Sequence, residues 1–272
     1  MTIGNTVALG PLVLSTDRLL ALLAVAAFIG LVSFLTRKSS RPTSNAVTAA
    51  VVAGLVMGRI GYVAMHIPSF GDDPLSALAI WQGGFSVIAG IVGAALVLVV
   101  TLRRSAALHR SLASLGIAVM VWAAAAHLLV EDTAIPLPKG LIAYTIDGQP
   151  VAIDSFRGKP FVINLWATWC GPCQREMPML VGAAAARPAV PVLFIDQGET
   201  PDAVKAFLAT KRLTSPHLLV DHSQDFSRAA GSGALPTTLF VAADGMIRES
   251  HAGEISRAAL DDGIADILET HQ

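Results

Sequence analysis

The chain has two cysteines, Cys170 and Cys173, and only Gly171 and Pro172 separate them. Such a pair can close a small disulfide and open it again. Where it caps a helix, the first sulfur faces backbone N–H groups and the positive end of the helix dipole. Both favour the thiolate, the form that attacks another disulfide. Pro172 suits the first helical turn, because its missing N–H would have no partner there. Upstream, Phe161-Val162-Ile163-Asn164-Leu165-Trp166 reads as a buried strand, so the cysteines fall at a strand-to-helix junction. Redox chemistry fits these residues better than the alternatives. Tetrahedral zinc needs four ligands at recognisable spacing; there is no second cysteine pair, and His217 and His222 would be recruited only by accident of folding. A structural disulfide closing so short a loop would stabilise little through chain entropy.

The elements around this pair divide sharply. The 272 residues suffice for two modest domains. With 53% hydrophobic and 14% charged residues and a mean hydropathy of +0.61, the chain is too apolar for an ordinary water-soluble protein. The excess lies before residue 131. Four nearly uncharged runs, 19–35, 45–67, 84–102 and 112–130, approach the ~20 residues that cross a bilayer as a helix. Residues 75–82 fit either an interfacial helix carrying Trp81 at headgroup depth or the start of the third run.

Flanking charges set an expected orientation. Arg37, Lys38 and Arg41 lie between the first two runs, and Arg103, Arg104 and Arg110 between the last two. The connection between the second and third runs carries Asp72 and Asp73 but no Lys or Arg. Positive residues stay in the cytoplasm, so both chain ends are expected outside it. The first run is not read as a cleavable signal peptide, whose positive charges precede the apolar stretch. Residues after Val130 then occupy an oxidising space, the periplasm of a bacterium with two membranes. The formal net charge of −1 gives no sign of nucleic-acid binding. Residues 131–140, with two prolines and a glycine, read as a stiff linker between a transmembrane domain, 1–130, and a soluble domain, 141–272.

In the soluble part, apolar runs alternate with helical patterns. Residues 141–146 and 151–153 flank Asp147-Gly148, a hairpin signal, and 237–242 and 246–251 flank a second, Asp244-Gly245. Strands are expected at 161–167, 190–196 and, more weakly, 217–220; helices at 172–186, 201–212 and 256–268. This is an α/β sheet covered on both faces.

Residues 140–272 resemble the TlpA/ResA-type thioredoxin-like reductases. The resemblance rests on Asn164-Leu165-Trp166-Ala167-Thr168-Trp169-Cys170-Gly171-Pro172-Cys173, on Glu176-Met177-Pro178 and on Leu235-Pro236-Thr237-Thr238. It implies a thioredoxin fold, a thiol:disulfide oxidoreductase with no cofactor and no metal, Cys170 as attacking thiol and Cys173 as resolving thiol. Pro236 would be the fold's cis-proline, opposite the disulfide, with Trp169, Leu235 and Thr237 lining the path of the substrate chain. Thioredoxins carry a buried Asp where this chain has Asn164, and an amide cannot take the proton of Cys173. Glu176, one helical turn beyond, is the substitute the family offers as general base, against a plain reading as a solvated helix residue. Glu199, in Gly198-Glu199-Thr200, reads as a helix-start residue.

Residues 8–102 resemble the front half of prolipoprotein diacylglyceryl transferase, through Leu9-Gly10-Pro11-Leu12, Gly58-Arg59-Ile60-Gly61-Tyr62-Val63 and Ile80-Trp81-Gln82-Gly83-Gly84-Phe85-Ser86. Ile88 stands where the transferase has a histidine, and its later arginine-asparagine motif is missing, so lipid transfer has no evident catalyst. Arg59, charged within a run, reads equally as a ligand for an anionic lipid headgroup or as a snorkelling cation. His66 and His127 read as interfacial. With no cysteine among the runs, this half cannot pass electrons across a membrane as carriers of the DsbD/CcdA kind do. The combined expectation is a membrane-anchored reductase of periplasmic protein disulfides, re-reduced by a separate membrane donor of that kind. Apocytochrome c (cytochrome c biogenesis) and copper-site proteins are the targets the resemblance suggests. The alternative is a lipoprotein-processing protein with an accessory thioredoxin domain.

Overall fold

The computed structural model describes residues 6–9, 12–36, 41–71, 73–129, 134–231 and 233–269. Arg37, Lys38 and Asp72, on which the expected orientation partly rests, lie outside the described residues, as do Gly10, Pro11 and 131–133 of the expected linker. The chain forms two compact units, one of residues 14–131 and one of residues 1–13 with 132–272.

A short hairpin, β1 (Thr6–Leu9) and β2 (Leu12–Ser15), comes first. The helices that follow are α1 (Thr16–Leu35), α2 (Arg41–Met65), α3 (Ile67–Phe70), α4 (Val87–Leu102) and α5 (Ala107–Leu129). Arg18–Leu35, Thr43–Met65 and Ala107–Leu129 are long and apolar enough to cross a membrane. The 16 residues of α4 span about 24 Å, short of the ~30 Å hydrocarbon layer. Packing departs from that of a water-soluble bundle on its outer face. Small residues such as Ala50, Ala94, Ser114 and Ala118 are buried, while Leu22, Phe34, Leu55, Leu96 and Met120 are exposed. Small inward residues let helices approach closely, and an outer surface of large apolar side chains is ill-suited to water.

The α2–α4 contact is tightest at Gly61, where an added Cβ would lie 2.5 Å from the Ala89 Cβ. Gly61→Ala is expected to force the helices apart and cost about 1–3 kcal/mol. Gly30→Ala, with nothing within 4 Å of its added Cβ, should be neutral or slightly stabilising. Thermal unfolding of both variants in detergent, followed by circular dichroism, checks this; equal midpoints would show that α2 and α4 do not meet at Gly61.

Residues 74–82 are two 3-10 turns, Pro74–Leu78 and Ile80–Gln82, and do not begin α4. Gly83 and Gly84, at φ 78° and 76°, interrupt the chain in a conformation that favours glycine. Helix α4 therefore starts three residues later than the hydropathy run, capped by the Ser86 hydroxyl, which accepts the Ala89 N–H at 3.4 Å. Arg59 of α2 reaches across and is buried. Its Nε donates to the Ala77 carbonyl (2.8 Å), Nη1 to Gly83 (2.6 Å) and Gly84 (3.0 Å), and Nη2 to Ser76 (3.0 Å). Four of about five guanidinium N–H groups are thus spent on backbone carbonyls. Arg59 is a staple rather than a headgroup ligand or a snorkelling cation. The two stretches around Arg59 and Trp81 that resemble the transferase are the two sides of this one packing site.

The second unit contains β3 (Ile135–Pro136), β4 (Ile142–Thr145), β5 (Pro150–Ala152), β6 (Phe161–Trp166), α6 (Gly171–Ala186), β7 (Val192–Gln197), α7 (Pro201–Lys211), β8 (Leu218–Asp221), α8 (Asp225–Ala229), β9 (Thr237–Val241), β10 (Met246–Ala252) and α9 (Arg257–Glu269). Its strands make one sheet in the order β3-β10-β9-β6-β7-β8-β4-β5. Strands β6, β7 and β8 run parallel, so α6 and α7 are successive crossovers. Right-handed connections stepping the same way along a sheet put both helices on one face. Met177, Leu180, Val204 and Leu208 accordingly share one core cluster with Phe194, Val220, Leu260 and Ile264. Helix α8 covers the other face, burying Phe226 among Ile163, Leu193, Ile195 and Leu239. Every residue of β6 and β7 is buried, as central parallel strands require. Within the stretch read as linker, Ile135 and Pro136 pair with β10 at the sheet edge, where a proline need not donate to the ladder.

Candidate active site

The apolar run of β6 ends at Trp166; Ala167, Thr168 and Trp169 turn the chain, and Cys170 caps α6 with extended backbone angles. Cys170 and Cys173 are joined by a disulfide of 2.04 Å, and the Cys170 Sγ also accepts the Cys173 N–H at 3.2 Å. Cys170 is 5% exposed and Cys173 wholly buried, while Trp169 beside them is 70% exposed. Of the two, only Cys170 retains any exposure. Once reduced, it sits where helix N–H groups and the dipole favour a thiolate.

The turn before Cys170 is tied down from behind. Glu199 accepts both the N–H and the hydroxyl of Thr168, the latter at 2.6 Å, and the Gln174 amide donates to the Thr168 carbonyl at 2.6 Å. Glu199 does precede α7, whose cap is Thr200, but its carboxylate works as a tether for the cysteine loop. Its own N–H donates to Asp196 Oδ1 at 3.0 Å. Asp196 is fully buried, and burial, helped by the side chain of Glu199, pushes its carboxyl up to about 8.

Glu176 is not a solvated helix residue: it is 3% exposed. The Asn164 amide donates to Oε1 at 3.0 Å and the Ile255 N–H to Oε2 at 2.8 Å. Asn164 also donates to the Thr238 hydroxyl at 3.1 Å. These donors favour the ionised form, yet burial outweighs them and pushes the carboxyl up to about 8. A carboxyl raised that far lies nearer the ~8.5 of an ordinary thiol than an exposed glutamate would.

The Leu235–Pro236 bond is cis. Thr237 stands opposite Leu165 in the β6–β9 register, which puts Pro236 level with Trp166, at the strand end from which Cys170 is reached. Leu235 is half-buried. Thr237 is fully buried, its hydroxyl donating to the Ala234 carbonyl at 2.8 Å and its backbone flanked by Leu165 and Ala252. Of the three expected substrate contacts, Trp169 and Leu235 therefore reach the surface, whereas the Thr237 side chain does not.

Asp196, Glu254 and the Ile255 N–H are parts of this site that the sequence reading missed. Asp196 carried a usable signal, an acid closing an otherwise apolar strand. The loop of Glu254 and Ile255 carried none.

Residues 131–266 match the Redoxin family model, and residues 6–128 match that of prolipoprotein diacylglyceryl transferase. The thiol-disulfide oxidoreductase ResA of Bacillus thuringiensis (strain Al Hakam) is 30% identical over 118 residues, 43% of this chain and 68% of that protein. The ResA of Geobacillus thermodenitrificans (strain NG80-2) is 28% identical over 137 residues, covering 48% and 78%. Among solved structures, a thioredoxin-family thiol:disulfide interchange protein from Chlorobium tepidum TLS is 26% identical, covering 50% of this chain and 97% of that one, with a TM-score of 0.44. With the closed cysteine pair at a helix N-terminus, the Redoxin match and the likeness to ResA place the chain in the redoxin family, as a thiol:disulfide oxidoreductase.

Proposed function

We propose that the chain is a membrane-anchored reductase of protein disulfides in the periplasm. The observation that carries this reading is the asymmetry of the pair, with Cys170 capping a helix and 5% exposed and Cys173 wholly buried behind it. The Cys170 thiolate attacks one sulfur of a target disulfide, and the other target sulfur leaves as a thiolate. A mixed disulfide forms along the Leu235–Pro236 edge. Cys173, giving its proton to Glu176, then attacks the Cys170 sulfur and expels the second target thiolate. The target gains two electrons and this chain becomes the disulfide. The apolar outer faces of α1, α2 and α5 support anchoring in a bilayer. The arginines flanking α4 and α5 support a redoxin unit on the outer side.

Both cysteines lie in the redoxin unit, so continued reduction needs electrons from a separate membrane protein of the DsbD/CcdA kind. Trapping thiols in intact cells with an alkylating mass tag tests the direction. A reductase is found mostly reduced, and becomes oxidised when its donor is deleted. A pair that is oxidised whether or not the donor is present would make the protein an oxidant and overturn the reading. Lipid transfer gains no support: Ile88 holds the histidine position and Arg59 is engaged with backbone carbonyls.

A further inference from the structure

Two consecutive residues of α6 meet two consecutive residues of the loop between β10 and α9. Arg175 Nε and Nη2 both donate to Glu254 Oε2, at 2.9 and 2.6 Å, and one step further the Ile255 N–H donates to Glu176 Oε2 at 2.8 Å. The contacts form two rungs of one ladder between segments far apart in sequence. We infer that the Arg175–Glu254 ion pair is a positioning device for Glu176, holding the Ile255 N–H on its carboxylate and setting the balance of charge that it feels. The inference rests on the reading of Glu176 as proton acceptor for Cys173.

The ion pair has a buried end and an open end. The Glu254 side chain is 7% exposed and that of Arg175 is 55% exposed, so the guanidinium covers the acid from the solvent side. Among the described residues, the hydrogen bonds to Glu176 come from neutral donors: the Asn164 amide from β6, backed by Thr238 of β9, and the Ile255 N–H. Its own helix adds Cys173, one turn earlier. The charges acting on it are therefore Glu254, which disfavours ionisation, and Arg175, which favours it. The two ends of one ion pair pull Glu176 in opposite directions. A plain structural brace would have no such signature, because loss of either end would act alike.

That difference supplies the test. The reduced full-length chain in detergent is titrated by infrared spectroscopy. The protonated carboxyl band of Glu176 is identified by its loss in Glu176→Gln. Arg175→Met should raise the midpoint of that band by about one pH unit, and Glu254→Gln should lower it by about one unit. Arg175→Lys, which keeps the charge, should stay near the original. The pH dependence of mixed-disulfide resolution should move in parallel. Midpoints that do not move, or that move the same way in both charge-removing variants, overturn the inference. Should Arg175→Met fail to fold, Glu254→Gln alone decides, since it keeps the shape and must lower the midpoint. A chain that never reduces a disulfide would defeat the proposed reaction, yet the infrared titration would still decide whether the ion pair governs Glu176.

Discussion

Replacing Cys170 with serine is expected to abolish disulfide exchange by the full-length chain, a loss on the order of 10³-fold or more. Cys173→Ser should instead accumulate a covalent adduct with the target. The asymmetry follows from burial. Cys170, at the cap of α6, keeps 5% of its surface exposed while Cys173 keeps none, so Cys170 is the one placed to meet a target disulfide. Cys173 lies sealed in the core that α6 builds with Val162, Trp166 and Phe240, and has access only to the Cys170 sulfur. Removing Cys170 therefore leaves a thiol that no target can approach. Removing Cys173 leaves the first step intact and deletes the second, so the mixed disulfide persists. Non-reducing gels of both variants, incubated with a disulfide-containing protein and then alkylated, read this directly. Equal adduct yields from the two would sink the assignment of roles.

What the sequence disclosed of this site was local. A strand of apolar residues, a tight turn and a proline in the first helical turn can all be read within fifteen residues, and they place Cys170 and Cys173 correctly at the head of α6. The environment of Glu176 is not local. Its burial arises because Ile255, 79 positions further on, and its neighbour Glu254 close over α6. A lone glutamate one turn past a cysteine looks the same whether it is solvated or sealed. Helix α8 escaped notice because five residues leave too few periods for a pattern, and its cap, Gln224, takes a left-handed φ of 57° that its residue type does not announce. Ile135 and Pro136 read as linker because proline weighs against a strand, and an edge position removes that objection. In the membrane-like unit, hydropathy found the helices but could say nothing of Arg59, whose partners are carbonyls contributed by backbone geometry.

The sealed carboxyl of Glu176 makes the stability of the oxidised chain depend on pH in a direction opposite to that of most paired acids. An unfolded glutamate titrates at 4.5, and here the folded value is about 8. Between those values the folded chain holds a proton that the unfolded chain has released, so each rise in pH favours unfolding. The stability is fully present below about 4.5, declines through the window, and levels off above about 8. Glu176→Gln removes that dependence, because an amide stays neutral throughout. Its cost is constant: one of the two donors, from Asn164 or Ile255, now faces an NH₂ group, worth about 1 kcal/mol. Relative to the original chain, the variant should therefore be slightly less stable near pH 5 and more stable near pH 8, the difference growing by a few kcal/mol, roughly, across the window. Asp196, pushed to about 8 as well, produces the same slope independently, so Glu176→Gln should flatten the profile in part and Asp196→Asn should flatten much of the rest. Catalysis should respond the other way. The variant loses its acceptor for the Cys173 proton, and mixed-disulfide resolution should slow on the order of 10²-fold near neutral pH, while attack by Cys170 is untouched. Thermal unfolding at several pH values, paired with single-turnover kinetics on the same samples, separates the two effects. A variant whose stability tracks the original at every pH would show that burial does not raise the Glu176 carboxyl in the folded chain, and with that its match to the proton of a thiol would be lost.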